Sequence, residues 1–267
     1  MANYQDELAF AKALATEAGK IMRRYFRAED IGTEWKQDNT PLTVADTNIN
    51  NLVIKRVKEK FPNHGVLGEE ESFEPTRDLI WVVDPIDGTA PFSIGVPIST
   101  FSIALVDRKD GQPVLAVVYD PFLNHSYEAT IGGGAYLNDT KLQASVTSDL
   151  AQNFVFSASI RSGKDKIYEA DKLLNSIRSQ KGKIVSIASF IYFGCKITTG
   201  ELVGVIVDFP STWDLVTVKL LVEEAGGIAT DYNGQPQRYD DITRGLVAAP
   251  NKELHGKLLQ MVQDAKP

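Results

Sequence analysis

LIWVVDPIDGTAPF, Leu79 to Phe92, is the stretch from which the rest of the chain is best read. Five apolar residues lead into two aspartates, Asp84 and Asp87, with Gly88 and Thr89 behind them. An apolar run rich in β-branched and aromatic residues predicts a buried strand. Pro85 has no N–H for a ladder, so the strand is expected to end among the carboxylates. Strand ends are where open α/β sheets bind ligands. Two carboxylates three residues apart on such a turn repel each other unless a proton or a cation lies between them, so the motif asks for a metal.

The chain around this motif has 267 residues, 43% hydrophobic and 24% charged, enough for a substantial core in one large domain or two fused halves. A net charge of -7 argues against a nucleic-acid polymer as partner, because such surfaces carry a basic stripe. It leaves room for a small anion held through metal ions. The single cysteine, Cys195, excludes an intrachain disulfide and sits in an apolar segment that predicts a buried structural thiol. The first residues are polar and acidic, and no run reaches the length of a membrane span. A cytoplasmic protein without membrane contact is expected.

Upstream, apolar residues at helical spacing predict an amphipathic helix over Ala2 to Arg27. Glu34 to Asp46 reads as a loop, and Asp46 as the N-cap of a second helix that stops before Phe61-Pro62-Asn63. Gly65 to Glu71, GVLGEEE, is a short strand followed by three carboxylates. A charge run is usually a solvated face, but this one could bring Glu69 beside Asp84.

Downstream, Pro97 to Asp107 and Pro113 to Pro121 predict a hairpin, and Ser126 to Leu137 a second one with a Gly-rich turn. That turn lacks the helix and the GK[ST] ending of a phosphate loop. The first half, 1–145, is therefore antiparallel α+β, and the second, 146–267, a smaller α/β unit. Within the second half, strands are expected at Phe154 to Ser159, Ile184 to Ile187, Leu202 to Val207 and Leu246 to Ala249. Helices are expected from about Asp165 to Ser179, through Tyr192 and Cys195, and from Asn251. In Ser211 to Gly227, Leu215, Val218, Val222 and Ala225 line one helical face, Gly226 and Gly227 stop the helix, and Asp214 stands at its start, where capping alone would explain it.

GEE at Gly68 to Glu70, WVVDPIDGT at Trp81 to Thr89 and WD...EAGG at Trp213 to Gly227 resemble, in order and spacing, the motifs of the inositol monophosphatase superfamily. KQDNTPLTVAD and GGGAYLND look like further blocks of it, so the resemblance covers nearly the whole chain. It implies a five-layer αβαβα sandwich of the inositol monophosphatase / fructose-1,6-bisphosphatase type. It also implies a magnesium-dependent, lithium-sensitive phosphomonoesterase, frequently a homodimer, acting on a small phosphorylated metabolite.

Carried over by residue, the resemblance makes Glu69, Asp84, Asp87 and Asp214 the carboxylate ligands of two or three Mg²⁺ ions, with the carbonyl of Ile86 as a further ligand. Oxygen donors are what a hard cation prefers. Thr89, hydrogen-bonded to Asp46, would orient a metal-activated water together with Glu69. Substrate contacts would come from Asp87, Gly88, Thr89, Ser189 and Asp208. Departures concern the substrate: Pro91 replaces a common Asn, Ser186-Ile187-Ala188 stands for Gly-Ser-Ala, and Val203 stands for a usual Asp. Val207 occupies the place of the acid that meets the polyol in inositol-type members, with Asp208 beside it. Histidinol-phosphatase and 3'(2'),5'-bisphosphate nucleotidase specificities stay open alongside the inositol type. A haloacid-dehalogenase-type reading of DPIDGT places the aspartates one residue too far apart. A non-catalytic metal-binding module is the remaining alternative.

Overall fold

In the computed structural model, which describes residues 4–28, 32–36, 41–159, 167–209 and 211–267, the chain opens with α1 (Gln5–Tyr25). Its buried face carries Phe10, Ala11, Leu14, Ala15, Ala18 and Met22, the helical spacing expected of a one-sided helix. A two-stranded ribbon follows, β1 (Glu34–Trp35) antiparallel to β2 (Pro41–Leu42). Next comes α2 (Val44–Lys60), which starts earlier than the sequence suggests. Thr43 is its N-cap, and Asp46, three residues in, reaches back to the Thr43 N–H at 2.8 Å to close a capping box. Asp46 is thus not the N-cap but the N-cap's partner, buried inside the first turn.

β3 (Gly65–Gly68) pairs parallel with β4 (Leu79–Asp87), the strand of the central motif. β4 does not end at Pro85. Asp84 faces Ser102 and Asp87 faces Thr100, so Pro85 and Ile86 oppose one residue in a β-bulge that needs no proline N–H. After β4 comes the short helix α3 (Thr89–Ser93). The sheet continues antiparallel through β5 (Thr100–Asp107), β6 (Gln112–Asp120), β7 (His125–Thr130), β8 (Gly134–Leu137) and β9 (Thr140–Lys141), in sequence order. The Gly-rich turn is a hairpin as expected, and the N–H groups of Gly132 and Gly134 donate to Glu224 at 2.7 and 2.8 Å.

The remaining elements are β10 (Phe154–Ser159), α4 (Ala170–Ser179), β11 (Lys183–Val185), α5 (Phe190–Thr198), β12 (Gly204–Asp208), α6 (Val216–Glu224), β13 (Ile228–Thr230), β14 (Leu246–Ala249) and α7 (Lys252–Asp264). Their strands form a five-stranded sheet in the order β11-β10-β12-β14-β13, with β10 parallel to both neighbours and β14 antiparallel to both of its own. The start expected for α4 near Asp165 lies outside the described residues. Strand β11 sits one to two residues before its expected place, and α6 begins at Val216, so Asp214 lies in the turn ahead of it rather than at a cap. Asn251 caps α7 by accepting from the Leu254 N–H.

The layers run α1 and α2, seven-stranded sheet, α5 and α6, five-stranded sheet, α4 and α7: a five-layer αβαβα sandwich. Alternation along β4 sends Trp81 and Val83 toward α1 and α2, and Ile80 and Val82 toward the middle helices. The middle layer therefore packs on both sheets, with Leu215, Val218 and Val222 of the α6 segment buried against Ala116 and Val118 on one side and Ala229 and Leu246 on the other. Each fully buried large side chain contributes about 1.5–3 kcal/mol, so this shared layer is a major part of what joins the two sheets. Among the described residues no helix is long and apolar enough to cross a membrane.

Candidate active site

The bulge at Pro85 turns the end of β4 toward a cavity of about 310 Å³ between the two sheets. Glu69 after β3, Asp84, Ile86 and Asp87 on β4, Gly88 and Thr89 at the start of α3, and Asp214 ahead of α6 all line it. Residues far apart in sequence meet here because the ends of β3 and β4 and the turn before α6 face the same space. Gly88 has φ +80°, and a β-carbon there would stand 2.9 Å from Ser189, so only glycine lets this turn close on the second half.

Asp46 sits behind Thr89, outside the lining. Its Oδ2 accepts from the Thr43 N–H, and its Oδ1 stands 3.2 Å from the Thr89 hydroxyl, which has a second acceptor in the Ile86 carbonyl at 3.0 Å. Burial pushes the Asp46 carboxyl up to about 7, although Thr43 holds it down. The capping box therefore does two things: it starts α2 and fixes the carboxylate that addresses Thr89.

Asp87 is held by the other half of the chain. Its carboxylate accepts from the backbone N–H groups of Phe190 (2.7 Å) and Tyr192 (2.9 Å) at the start of α5, and Ser189 Oγ lies 2.8 Å away. A carboxylate at a helix N-terminus meets both orphan donors and the positive end of the dipole. These bonds oppose burial, which still leaves the Asp87 pKa raised.

Asp84 is buried, and its Oδ1 has no hydrogen-bond partner. Burial first, then the charges of Glu69, Asp87, Asp214 and Asp46, raise its pKa well above the carboxylate range. Burial and the charges of Glu69 and Asp87 do the same to Asp214. Lys36, between β1 and β2, places its ammonium 2.8 Å from Glu69 and 2.5 Å from Glu70. Against burial, those two carboxylates raise the lysine's own pKa. Among the described residues no three His, Cys, Asp or Glu side chains stand close enough to make a finished metal cage. The ligands expected from the sequence share one cavity but do not converge on a point: Lys36 engages Glu69, and α5 engages Asp87.

The donor set nonetheless fits a hard divalent cation. It consists of carboxylates and one carbonyl, it has a surplus of negative charge, and one buried oxygen lacks any partner.

Two expected substrate contacts fall elsewhere. Ser189 is buried beneath Asp87 rather than at the cavity surface. Asp208 also lies off the lining: Val207 and Phe209 belong to the core around the middle helices, so strand alternation sends Asp208 away from it, toward Ser159 at 3.3 Å. Lys36 was not expected at the site, although it is the only basic residue between Arg27 and Lys55, in a chain short of positive charge. Phe190 and Phe209, which line the cavity, carried no sequence signal beyond hydrophobicity.

Comparison with known proteins agrees with this fold. The chain matches the inositol monophosphatase family over residues 3–266. It is 34% identical to a histidinol-phosphatase of Chlorobaculum parvum, over 92% of each chain. It is 30% identical to inositol monophosphatase 2 of Solanum lycopersicum, over 94% of this chain and 96% of that one. The solved structure of the extragenic suppressor protein suhB from Bartonella henselae superposes with a TM-score of 0.88 at 23% identity, covering 97% of this chain and 99% of the other. With the family matched along its whole length and the carboxylate pocket where the family motifs fall, the chain belongs to the inositol monophosphatase family and is a phosphoric monoester hydrolase.

Proposed function

We propose that the protein is a Mg²⁺-dependent phosphomonoesterase that hydrolyses a small phosphorylated metabolite with water as nucleophile. The observation that carries this is the gathering of Glu69, Asp84, Asp87, Asp214 and the Ile86 carbonyl around one cavity, with the Asp46–Thr89 pair at its edge. Magnesium held by those oxygens supplies countercharge for the phosphate and for the alkoxide that leaves.

The chain's own groups do the rest. Thr89 has one hydroxyl proton; donated in a hydrogen bond to Asp46, it leaves the oxygen's lone pairs free to accept a hydrogen bond from water and orient it. Glu69, on the same cavity, is the base: it takes up the one proton released as the water oxygen bonds to phosphorus and the P–O ester bond breaks, and the departing alkoxide takes a proton from solvent water. Gly88, with no side chain, allows a phosphate close to the backbone at the turn into α3. Lys36 must release Glu69 when a cation arrives.

The test is phosphate release from a panel of phosphomonoesters with Mg²⁺, with chelator, and with Asp214→Asn. Release that needs Mg²⁺ and is lost in Asp214→Asn is expected. Equal release in chelator removes the metal from the mechanism.

A further inference from the structure

On its way from α3 into β5 the chain passes back along the turn it has just made at Asp87, Gly88 and Thr89. Ser99 donates its hydroxyl to the Gly88 carbonyl at 2.9 Å. On either side of it, the Thr100 hydroxyl stands 3.3 Å from Asp87, and the Ile98 carbonyl lies 2.5 Å from the Ser189 hydroxyl. Thr100 and Ser189 thus address the carboxylate, whereas Ser99 addresses the peptide beyond it. Ser99 is 0% exposed and lies off the cavity lining, so it acts through the group it bonds.

That group is the weak point of the turn. Gly88 has φ +80° and no β-carbon, so side-chain sterics do not hold the peptide that follows it. The five residues of α3 are too few to hold their own first turn. The Gly88 carbonyl has two acceptor sites: the Phe92 N–H uses one, at 3.0 Å, and Ser99 ties the other from outside the helix. Because a peptide is planar, fixing that carbonyl fixes the Gly88–Thr89 plane and the Cα from which Thr89 reaches out. The two acceptors facing the Thr89 hydroxyl, Asp46 at 3.2 Å and the Ile86 carbonyl at 3.0 Å, are held by α2 and β4. A tilt of the Gly88–Thr89 plane therefore takes the hydroxyl away from partners that do not follow it.

We propose that Ser99 is a positioning residue for the reaction: its buried hydroxyl locks the Gly88–Thr89 peptide so that Thr89 meets Asp46 and orients the attacking water. This rests on the phosphatase reading above and adds a residue to the machinery of the same site.

The test is steady-state kinetics with Mg²⁺ on a phosphomonoester that the parent hydrolyses, for Ser99→Ala, Thr89→Val and the double variant, with melting temperatures and Mg²⁺ titrations alongside. Ser99→Ala is expected to lower kcat about tenfold with KM within about threefold, because displacing an orienting group acts on the transition state more than on binding. With Thr89→Val already in place it should cost less than about twofold, the mark of two residues that act as one unit. Mg²⁺ affinity should stay within about twofold, since Ser99 bonds none of the cation-seeking oxygens. Ser93→Ala removes a like bond from the Ala90 carbonyl, 2.9 Å, further along the same helix, and should leave kcat within about twofold. A loss that recurs in full on Thr89→Val, a fall in Mg²⁺ affinity that accounts for the kinetics, or an unchanged kcat in Ser99→Ala overturns the proposal and leaves the phosphatase reading standing. If Ser99→Ala does not fold, Ser99→Cys, which keeps a weak donor, carries the same cycle with a smaller loss that must likewise vanish on Thr89→Val. A parent that hydrolyses no ester sinks the phosphatase reading, and amide exchange then decides the pin. The Phe92 N–H, which shares the Gly88 carbonyl, should exchange about tenfold faster in Ser99→Ala, and unchanged exchange overturns it.

Discussion

The Phe190 N–H donates to Asp87 Oδ1 at 2.7 Å, so the first turn of a helix in the second half of the chain is capped by a carboxylate from the central strand of the first. One residue is therefore both a candidate cation ligand and a structural pin.

This separates two substitutions that look alike in sequence. Asp87→Asn keeps one acceptor oxygen but turns an NH₂ toward the N–H of either Phe190 or Tyr192, leaving a buried donor unmet. A loss of about 1–3 kcal/mol in stability is expected along with loss of turnover. Asp214→Asn removes a charge that Glu69 and Asp87 already oppose, so it should lose turnover while the metal-free melting temperature holds or rises. Calorimetry of both variants in chelator checks the contrast; equal melting temperatures would remove the pin.

Thr89→Val deletes the hydroxyl between Asp46 and the cavity. A fall in kcat of about 10²–10⁴ with little change in KM is expected, and Thr89→Ser should recover most of it. A Val variant within about threefold of the parent in kcat would take Thr89 out of the reaction.

Removing the Lys36 ammonium from beside Glu69 should make the cavity more attractive to cations. Lys36→Met is expected to tighten Mg²⁺ binding by roughly fivefold, since a like charge at this range costs about 1 kcal/mol in a solvated setting. Isothermal titration reads it directly, and weaker binding would mean that Lys36 helps hold the site open.

Burial, and for Asp84 and Asp214 the neighbouring carboxylates, raises the pKa of Asp46, Asp84, Asp87 and Asp214 in the folded chain. Between about pH 4, where unfolded aspartates ionise, and about 7, where Asp46 does, the folded state holds more protons than the unfolded one. Its stability in chelator is therefore expected to fall as pH rises through that window. Burial lowers the pKa of His64 and His255, which act in the opposite direction up to about 6.5. The difference between Mg²⁺ and chelator isolates the carboxylates: the rise in melting temperature on adding Mg²⁺ should be larger near pH 7.5 than near pH 5. A metal effect that does not depend on pH would contradict this.

The long elements were legible because they carry clear periodicity: β4, the β5–β6 hairpin, α1 and the α6 segment all lie within a few residues of expectation, whereas their stacking into a five-layer sandwich was implied by the family resemblance and not by any pattern in the residues. The pieces that escaped are short. β13 has three residues and β9 two, too few for alternation to register, and both form only because a neighbouring edge is there to pair with. Pro85 misled because a proline forbids a ladder bond but not a bulge. At the site, the cation-seeking residues stood out as carboxylates at the ends of apolar runs. Asp46, Asp87 and Ser189 owe their positions to backbone N–H groups and hydroxyls, whose directions no one-dimensional pattern contains. Asp208 lies off the cavity lining for a related reason: one residue along a strand is the opposite face of the sheet.

Cys195 is 1% exposed in the shared helix layer, and burial pushes its thiol pKa up. Since the chain has no other cysteine, the native protein should be silent to maleimides and disulfide reagents, and the thiol should answer only when the middle layer opens. The molecule carries its own clock for global opening. A single cysteine introduced at an exposed position such as Ile187 could be labelled against a clean background.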